Sequence, residues 1–319
     1  MTTTPEFSLI QRYFEQLTPP RDDVKLGIGD DCALLQPPAD HLLAVSIDTL
    51  VEGVHFFADV DVKTLGHKSL AVGLSDLAAM GATPAWFTLA LSLPEIDEGW
   101  LHDFSQGLAA LASEHNIQLV GGDTTRGPLT ISIQVHGFVK QKQALRRDGA
   151  QVGDLIYVTG TLGDAGAALQ LKLQQLNEPS LNENDHNYLQ QRLQQPTPRL
   201  MIGQQLSGLA SSAIDISDGL LADLGHILEK SHVGARLDLT QLPLSTSLQK
   251  IELEPAIQLA LNSGDDYELC FTISPENAEK LGTGNYQCIG IITNNVGIIE
   301  SEQTNGTVLK GKGYDHFTS

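Results

Sequence analysis

The sequence predicts an α/β protein built from two domains. Its 319 residues fit about two domains of ordinary size. Apolar residues recur at strand spacing and then at helix spacing along the chain, a pattern typical of mixed layers of sheet and helix. The pattern stops in a polar, glycine-bearing segment at residues 141–153 and then starts again. We therefore expect a first domain over residues 1–148 and a second over residues 149–319.

The first domain is predicted to open with a short amphipathic helix. Ser8 and Gln11 have the spacing of a capping box, and the helix is expected to end before Pro19. Ile131, Ile133 and Val135 alternate as in a half-buried strand. The elements expected after the first helix are a strand at 42–49, a helix at 62–80, a strand at 85–93, a helix at 98–115, and strands at 117–120 and 129–139.

The second domain repeats the alternation of strand and helix. Pro198 is expected at the first turn of a helix, where its missing N–H costs nothing. Residues 177–187 form a polar stretch in which no helix or strand is predicted. The other expected elements are strands at 155–159, 213–216, 235–239, 267–273 and 288–292, and helices at 165–176 and 220–230.

Composition and charge narrow the class of protein. With 41% hydrophobic and 18% charged residues, the chain is globular rather than disordered. A net charge of −20 without a basic cluster argues against nucleic acid as a partner. The uncharged run at residues 77–94 contains Gly81 and Pro84, so we expect a helix, a turn and a buried strand rather than a membrane span.

The cysteines and the N-terminus indicate a reducing compartment. The three cysteines form no Cys-x-x-Cys pair, so neither a zinc site nor a disulfide framework is expected. Cys32 is expected to be a small buried residue. The first residues have no basic or apolar export pattern, and we therefore expect a cytoplasmic protein.

Aspartates recur beside glycines and predicted strand ends. Three of these motifs follow an apolar strand, so we expect their carboxylates to gather at one edge of a sheet. Oxygen ligands without Cys or His neighbours favour Mg²⁺, Mn²⁺ or Ca²⁺, and Mg²⁺ commonly bridges to the phosphates of a nucleotide. The motifs are Gly29-Asp30-Asp31, Ser46-Ile47-Asp48-Thr49, Ser75-Asp76, Gly121-Gly122-Asp123-Thr124-Thr125 and Asp215-Ile216-Ser217-Asp218-Gly219.

Each motif alone is also compatible with ordinary turn or helix-capping chemistry. Their number favours a site that binds a metal and a nucleotide. The Gly121-Gly122 pair would let the backbone approach a phosphate closely, although the chain contains no Walker loop and no protein-kinase signature.

The motifs in their order closely resemble the thiamine-monophosphate kinase family. They include Gly27-Ile28-Gly29-Asp30-Asp31-Cys32-Ala33, Asp48-Thr49-Leu50-Val51-Glu52-Gly53-Val54-His55-Phe56, Asp215-Ile216-Ser217-Asp218-Gly219-Leu220, Gly264-Asp265-Asp266-Tyr267-Glu268-Leu269 and Gly313-Tyr314-Asp315-His316-Phe317. The resemblance runs from about Phe7 to Phe317. The wider superfamily contains aminoimidazole ribonucleotide synthetase and other enzymes that use ATP.

The resemblance implies a two-domain aminoimidazole ribonucleotide synthetase-like fold, with ATP and several Mg²⁺ ions bound in a cleft. It implies a homodimer formed through the N-terminal domains. The implied reaction converts ATP and thiamine monophosphate to ADP and thiamine diphosphate by direct transfer, without a covalent nucleophile on the protein. The implied metal ligands are Asp30, Asp31, Ser46, Ile47 (through its backbone), Asp48, Asp76, Asp123, Asp215 and Asp218. The implied nucleotide contacts are Gly122, Asp123, Arg147 and Ser217, and the implied substrate contacts are His55, Asp265 and Tyr314.

Two other functions stay open from the sequence. The first is a sister ATP-dependent enzyme that activates an amide or a selenide, which should lack the combination of His55 and Tyr314. The second is a regulator that binds a metal or nucleotide without catalysis. The acidic motifs, all of which are intact, argue against a degenerate relative.

Overall fold

The chain folds into two compact units. A computed structural model describes residues 5–302, 308, 309 and 311, with the side chains of residues 5–7 left out. Unit 1 falls within residues 1–77 and 82–141, and unit 2 within residues 78–81 and 142–319. The chain therefore passes from unit 1 to unit 2 at the start of the polar segment 141–153.

Unit 1 is built around a four-stranded mixed sheet with strand order β3-β6-β4-β5. Strands β4 and β5 are parallel, and the other pairs are antiparallel. A separate antiparallel pair is formed by β1 and β2. The elements are α1 (Pro5–Tyr13), β1 (Val24–Leu26), β2 (Leu34–Leu35), β3 (His41–Val51), α2 (Val62–Ala79), β4 (Thr83–Leu93), α3 (Glu98–Glu114), β5 (Gln118–Arg126) and β6 (Thr130–Lys140).

One face of this sheet is covered by helix α2. Val135 of β6 is fully buried, and its methyl groups lie 3.1–3.2 Å from the position a Cβ at Gly73 of α2 would take. Along β3, Leu50 is buried on this covered face, whereas Val45 and Ile47 on the other face are 51% and 64% exposed. Because side chains alternate across a strand, β3 presents Ser46 and Asp48 as well as Leu50 to the helix, and Val45 and Ile47 outward.

Unit 2 contains a six-stranded sheet with strand order β12-β9-β11-β7-β10-β8. Only the pair of β9 and β12 is parallel. The elements are β7 (Leu155–Thr159), α4 (Asp164–Lys172), α5 (Glu183–Gln194), α6 (Leu200–Leu206), β8 (Ser212–Asp215), α7 (Leu220–Ser231), β9 (Gly234–Leu237), α8 (Leu253–Asn262), β10 (Leu269–Ile273), α9 (Pro275–Ala278), β11 (Tyr286–Thr293) and β12 (Ile299–Ser301).

Two hydrophobic clusters stabilise unit 2. In the larger one, Leu224 and Ile227 of α7 pack with Ile156 and Val158 of β7, and all four are fully buried. The smaller one joins α4, α5 and α8 and includes the fully buried Leu189. The burial of Leu220, Leu224, Ile227 and Leu228 gives α7 the apolar stripe of an amphipathic helix.

Several expectations about individual elements are wrong. Helix α1 begins at Pro5, so Ser8 and Gln11 lie inside it and form no capping box at its start. Helices α5 and α8 lie where no helix is expected from the sequence. Strands β3 and β5 continue past Asp48 and Asp123, so these two carboxylates project from within a strand rather than from its end.

Candidate functional site

Unit 1 brings Ser46, Asp48 and Asp76 together beneath helix α2. Ser46 and Asp48 are two residues apart on β3 and therefore share the face that α2 covers. The Ser46 hydroxyl donates a hydrogen bond to Oδ2 of Asp76 on α2. The three oxygen-bearing side chains, which are expected to be metal ligands from the resemblance, thus form one polar group between β3 and α2.

Asp48 is the most strongly perturbed member of this group. Burial raises its pKa to about 7, and the negative charge of Asp76 adds to the increase. Oδ2 of Asp48 is buried without a hydrogen-bond partner among the residues that the structure describes. A buried carboxylate oxygen of this kind costs free energy unless a cation or a proton compensates it. The group therefore has the chemistry of a site for a hard divalent cation.

The two glycines of β5, Gly121 and Gly122, differ in the space around them. A Cβ at Gly122 would lie 1.9 Å from the backbone oxygen of Leu89 in β4, so close approach of the two strands requires glycine there. A Cβ at Gly121 would meet nothing within 4 Å. Gly121 therefore leaves its side of the backbone open, as contact with a phosphate would require.

Asp123 and Asp48 project from opposite faces of the unit 1 sheet. Asp123 lies in the same cross-strand row as Ala90 and Thr49, whereas Asp48 lies in the next row. Asp30 and Asp31 lie outside the four-stranded sheet, in the exposed connection between β1 and β2, where the Asp31 N–H donates to Oδ1 of Asp30 at 2.9 Å. The structure of a single chain thus leaves the acidic residues of unit 1 in separate groups.

In unit 2 the Asp215–Gly219 segment is organised by an aspartate that the sequence analysis missed. Oδ2 of Asp223 accepts hydrogen bonds from the backbone N–H groups of Ser217, Asp218 and Gly219 at 3.1, 3.0 and 3.1 Å. Burial raises the pKa of Asp223 to about 7, although these backbone hydrogen bonds lower it. The signal in the sequence was an acidic residue in the first turn of α7.

The segment 264–268 lies directly beside residues 215–217. Backbone hydrogen bonds join the Asp265 N–H to the Ser217 oxygen at 2.9 Å, and the Ile216 N–H to the Glu268 oxygen at 2.7 Å. A Cβ at Gly264 would lie 2.3 Å from the Ser217 oxygen, so the two segments are in close contact. The structure therefore places Asp265 next to the segment that carries Asp215, Ser217 and Asp218.

The remaining predicted residues lie in turns or at the surface. Nδ1 of His55 accepts a hydrogen bond from the Val51 N–H at 3.0 Å, which ties the ring to its own turn after β3. Arg147 is exposed, and its backbone oxygen accepts a hydrogen bond from Ser231 at 2.8 Å. Tyr314 lies outside the described residues. Cys32 is exposed, contrary to the expectation that it is buried, because it follows the surface pair Asp30-Asp31 rather than a strand.

Each unit brings some of the predicted metal ligands together. Within residues 5–302, 308, 309 and 311, no group of three His, Cys, Asp or Glu side chains has a metal-binding arrangement. What the structure does bring together is Ser46 with Asp48 and Asp76 in unit 1, and Asp215, Ser217 and Asp218 with Asp265 in unit 2. The complete ligand set stays a prediction.

Comparison with known proteins identifies the family. Residues 29–139 match the N-terminal domain of AIR synthase related proteins, and residues 151–288 match their C-terminal domain. Thiamine-monophosphate kinase from Escherichia coli K12 is 50% identical over 98% of both chains. The chain belongs to the thiamine-monophosphate kinase family. Both the resemblance seen in the motifs and the expected two-domain fold are thereby confirmed.

Solved structures of thiamine-monophosphate kinases share this fold. The enzyme from Stenotrophomonas maltophilia K279a is 49% identical, with a TM-score of 0.81 over 88% of this chain and 92% of that one. AaThiL complexed with AMPPCP and TMP is 31% identical, with a TM-score of 0.78 over 91% of this chain and 92% of that one.

Among the helices of the described residues, none is both long enough and apolar enough to cross a membrane.

Proposed function

We propose that the chain phosphorylates thiamine monophosphate to thiamine diphosphate, with ATP as phosphoryl donor and Mg²⁺ held by its carboxylates. The observation that carries this proposal is the 50% identity with the Escherichia coli thiamine-monophosphate kinase over 98% of both chains. AaThiL, solved with AMPPCP and TMP, supports the pairing of a nucleotide site with a substrate site on this fold. Cys32, Cys270 and Cys288 are free thiols, which fits a cytoplasmic enzyme.

The proposed reaction is one direct displacement. A phosphate oxygen of thiamine monophosphate forms a bond to the γ-phosphorus of ATP, the bond from that phosphorus to the β,γ-bridging oxygen breaks, and ADP leaves. A phosphate monoester has a second pKa near about 6, so the attacking oxygen is largely anionic at neutral pH and requires no general base. We accordingly assign no side chain of this protein a covalent or proton-abstracting role.

The main task of the protein in this reaction is electrostatic. Two anions must approach each other on a chain whose own net charge is −20. Mg²⁺, when bound, supplies positive charge to the phosphates. We propose that Ser46, Asp48 and Asp76 contribute to holding it, since the oxygen ligands are grouped and Oδ2 of Asp48 is buried without a partner in the described residues. Asp30, Asp31, the backbone of Ile47, Asp123, Asp215 and Asp218 stay the other predicted ligands.

The nucleotide and the substrate are assigned to a second set of residues, which shares Asp123 with the predicted metal ligands. We propose that Gly122, Asp123, Arg147 and Ser217 contact ATP, and that His55, Asp265 and Tyr314 contact thiamine monophosphate. The open backbone at Gly121 and the exposure of Arg147 are compatible with contacts to phosphate. The proximity of Asp265 to Ser217 supports neighbouring roles for these two residues.

We further propose that the protein is a homodimer formed through the uncovered face of the unit 1 sheet. Leu43, Val45 and Ile47 of β3 are 45%, 51% and 64% exposed and adjoin one another on that face. Strand β3 is also an edge strand of the sheet. Proteins normally cover an exposed apolar face that adjoins an edge strand. A second copy of the chain would cover this face symmetrically.

The test of the proposed function is a direct product assay. The purified protein is incubated with ATP, Mg²⁺ and thiamine monophosphate, and ADP and thiamine diphosphate are quantified together by chromatography. We expect both products to appear in equal amounts and only with the metal present. Formation of ADP and inorganic phosphate without thiamine diphosphate, or no turnover by folded protein, would overturn the proposal.

A further inference from the structure

A buried ionic cluster lies immediately behind the segment that carries Asp265. Glu268 is fully buried, and its carboxylate accepts from Arg199 Nε at 2.6 Å, from a terminal nitrogen of Arg199 at 2.5 Å and from Arg192 at 2.9 Å. The Thr159 hydroxyl donates to Oε2 at 2.6 Å. Since both carboxylate oxygens are fully engaged, Glu268 is not available to bind a substrate or a metal. Its contribution must be made through the backbone that it holds.

The partners of Glu268 come from three different elements. Arg192 belongs to α5, Arg199 precedes the first residue of α6, and Thr159 ends β7. The side chains of Arg192 and Arg199 are themselves only 11% and 19% exposed. A buried charge is stable only with well-placed partners, so the cluster fixes the position of Glu268 relative to all three elements.

The backbone next to Glu268 adopts conformations that need such support. Asp265 has φ of 67° and Tyr267 has φ of 50°, values in the left-handed region that non-glycine residues rarely occupy. Conformations of this kind persist only where the surrounding structure determines them, and they concentrate at functional sites. The Tyr267 hydroxyl donates to Oδ1 of Asp265 at 3.0 Å, so the strained stretch also sets the orientation of the Asp265 carboxylate.

Two further features join this stretch to the residues that follow β7. Oδ2 of Asp266, a residue 1% exposed, accepts from the Gly163 N–H at 2.6 Å. A Cβ at Gly160, whose φ is 57°, would lie 2.1 Å from Oε1 of Glu268. The end of β7 is therefore shaped to receive the Glu268 carboxylate, and the residues on both sides of Tyr267 are anchored in the interior of unit 2.

We propose that Glu268, Arg192 and Arg199 are positioning residues that hold Asp265 in the geometry required to bind the phosphorylated substrate. This inference rests on the proposed function, because it takes Asp265 as a contact of thiamine monophosphate. The cluster acts through the backbone of residues 265–267 and touches neither substrate nor nucleotide. Ser217, the neighbouring proposed ATP contact, is also held by Asp223 through its backbone N–H. Removal of the cluster therefore weakens recognition of thiamine monophosphate more than recognition of ATP.

The first test replaces Arg199 by Lys, which keeps the positive charge but loses the two-pronged contact with Glu268. Arg236, an exposed residue of β9, provides the matched control as Arg236→Lys. For Arg199→Lys we expect KM for thiamine monophosphate to rise by about tenfold or more, with KM for ATP within about twofold of wild type. The control variant should leave both constants unchanged. Equal increases in both KM values, or none, would overturn the proposal.

A second measurement does not depend on turnover. Hydrogen exchange of backbone amides in residues 263–268 is compared in wild type, Arg199→Lys, Arg236→Lys and Glu268→Gln. We expect faster exchange in this stretch for Arg199→Lys and Glu268→Gln, while β9 and β11 stay protected. Unchanged exchange in both cluster variants, or global loss of protection without a local effect, would contradict the positioning role. If the wild type makes no thiamine diphosphate, the proposed function fails while this measurement still decides whether the cluster holds the segment.

Discussion

Three carboxylates of this protein differ in what compensates their negative charge, because their surroundings differ. Asp48 is partly buried under a helix, Asp223 is occupied by three backbone N–H groups, and Glu268 is engaged by two arginines. Only Asp48 has a buried oxygen that lacks a hydrogen-bond partner among these three in the described structure. Of these acids, Asp48 is therefore the one whose charge calls for a bound cation.

A change of charge at Asp76 tests the metal assignment. We expect Asp76→Asn to reduce turnover by several orders of magnitude, because the proposed metal group loses one carboxylate, while the melting temperature stays close to wild type. Asp103→Asn, at an exposed position of α3, is the matched control and should retain full activity. Near-normal formation of thiamine diphosphate by Asp76→Asn would remove Asp76 from the ligand set.

The raised pKa of Asp48 predicts a pH dependence for Mg²⁺ binding. In the folded protein without metal, Asp48 holds its proton up to about pH 7, against an ordinary value of 3.8. Between about pH 4 and about pH 7 the unfolded chain ionises this carboxyl while the folded chain keeps the proton, so Asp48 lowers folding stability as the pH rises through that range. A bound cation requires the ionised form, so Mg²⁺ affinity should fall by up to about tenfold for each pH unit below about 7.

Calorimetric titration with Mg²⁺ at pH 6 and pH 8 measures this effect directly. The wild type should bind more tightly at pH 8, and Mg²⁺ should raise its melting temperature more at that pH. Asp48→Asn should lose most of this pH difference. Equal wild-type affinities at the two pH values would show that Asp48 does not compete with the cation for a proton.

Replacing Asp223 tests its role in holding the backbone of residues 217–219, since Asp223 itself is not a proposed ligand. In Asp223→Ala the N–H groups of residues 217–219 lose their acceptor, and we expect a loss of about 2 kcal/mol or more of stability together with a marked fall in kcat/KM. Asp223→Asn keeps an oxygen acceptor and should retain more activity. Glu229→Ala, at an exposed position of the same helix, serves as control in urea unfolding and product assays. Indistinguishable Ala and Asn variants would argue against the hydrogen-bonding role.

At the scale of elements, helix α5 shows how capping can define a helix in a polar sequence. The Asn182 side chain accepts from the N–H groups of Asn184 and Asp185, and the Asp185 side chain accepts from the Asn182 N–H. The apolar contribution is limited to Leu189 and Leu193, four residues apart and both buried. The reciprocal cap thus compensates for a weak amphipathic pattern.

The cap of α5 can be tested by its removal. Asn182→Ala should destabilise the protein by about 1 kcal/mol, which corresponds to a fall of a few degrees in melting temperature. Asn187→Ala, at an exposed position within the same helix, should leave stability unchanged or slightly higher, since Ala is the better helix former. Calorimetry of the two variants decides the matter, and equal destabilisation would exclude the cap as the cause.

At the scale of the whole molecule, the open side of the unit 1 sheet predicts a homodimer. Val45→Lys places a charge among the exposed apolar residues of β3 and should convert a dimer to monomers in sedimentation velocity. Met201→Lys, at a position 77% exposed in unit 2, is the control and should remain dimeric. A wild-type protein that sediments as a monomer at micromolar concentration would refute the proposed interface.

The sequence allowed much of the architecture to be predicted. The strand pattern of Ile131, Ile133 and Val135 and the helical runs that became α2, α3 and α7 are confirmed, since their apolar periodicity reports burial directly. The same reasoning missed α5, whose residues are mostly polar, although Asn182 and Asp185 carried the capping signal. It also missed the role of Asp223, because an acidic residue in a first helical turn is common.

What the sequence determined by itself is the family, the two-domain α/β fold and the set of acidic motifs, because these depend on residue identity and local spacing. The tertiary structure decided which acids share surroundings. Ser46 and Asp76 are 30 residues apart, and Glu268 meets Arg192 and Arg199 across 76 and 69 residues. Such pairings follow from strand register and helix packing, which local periodicity does not contain. Burial then sets the pKa of each acid, and with it the chemistry available to the site.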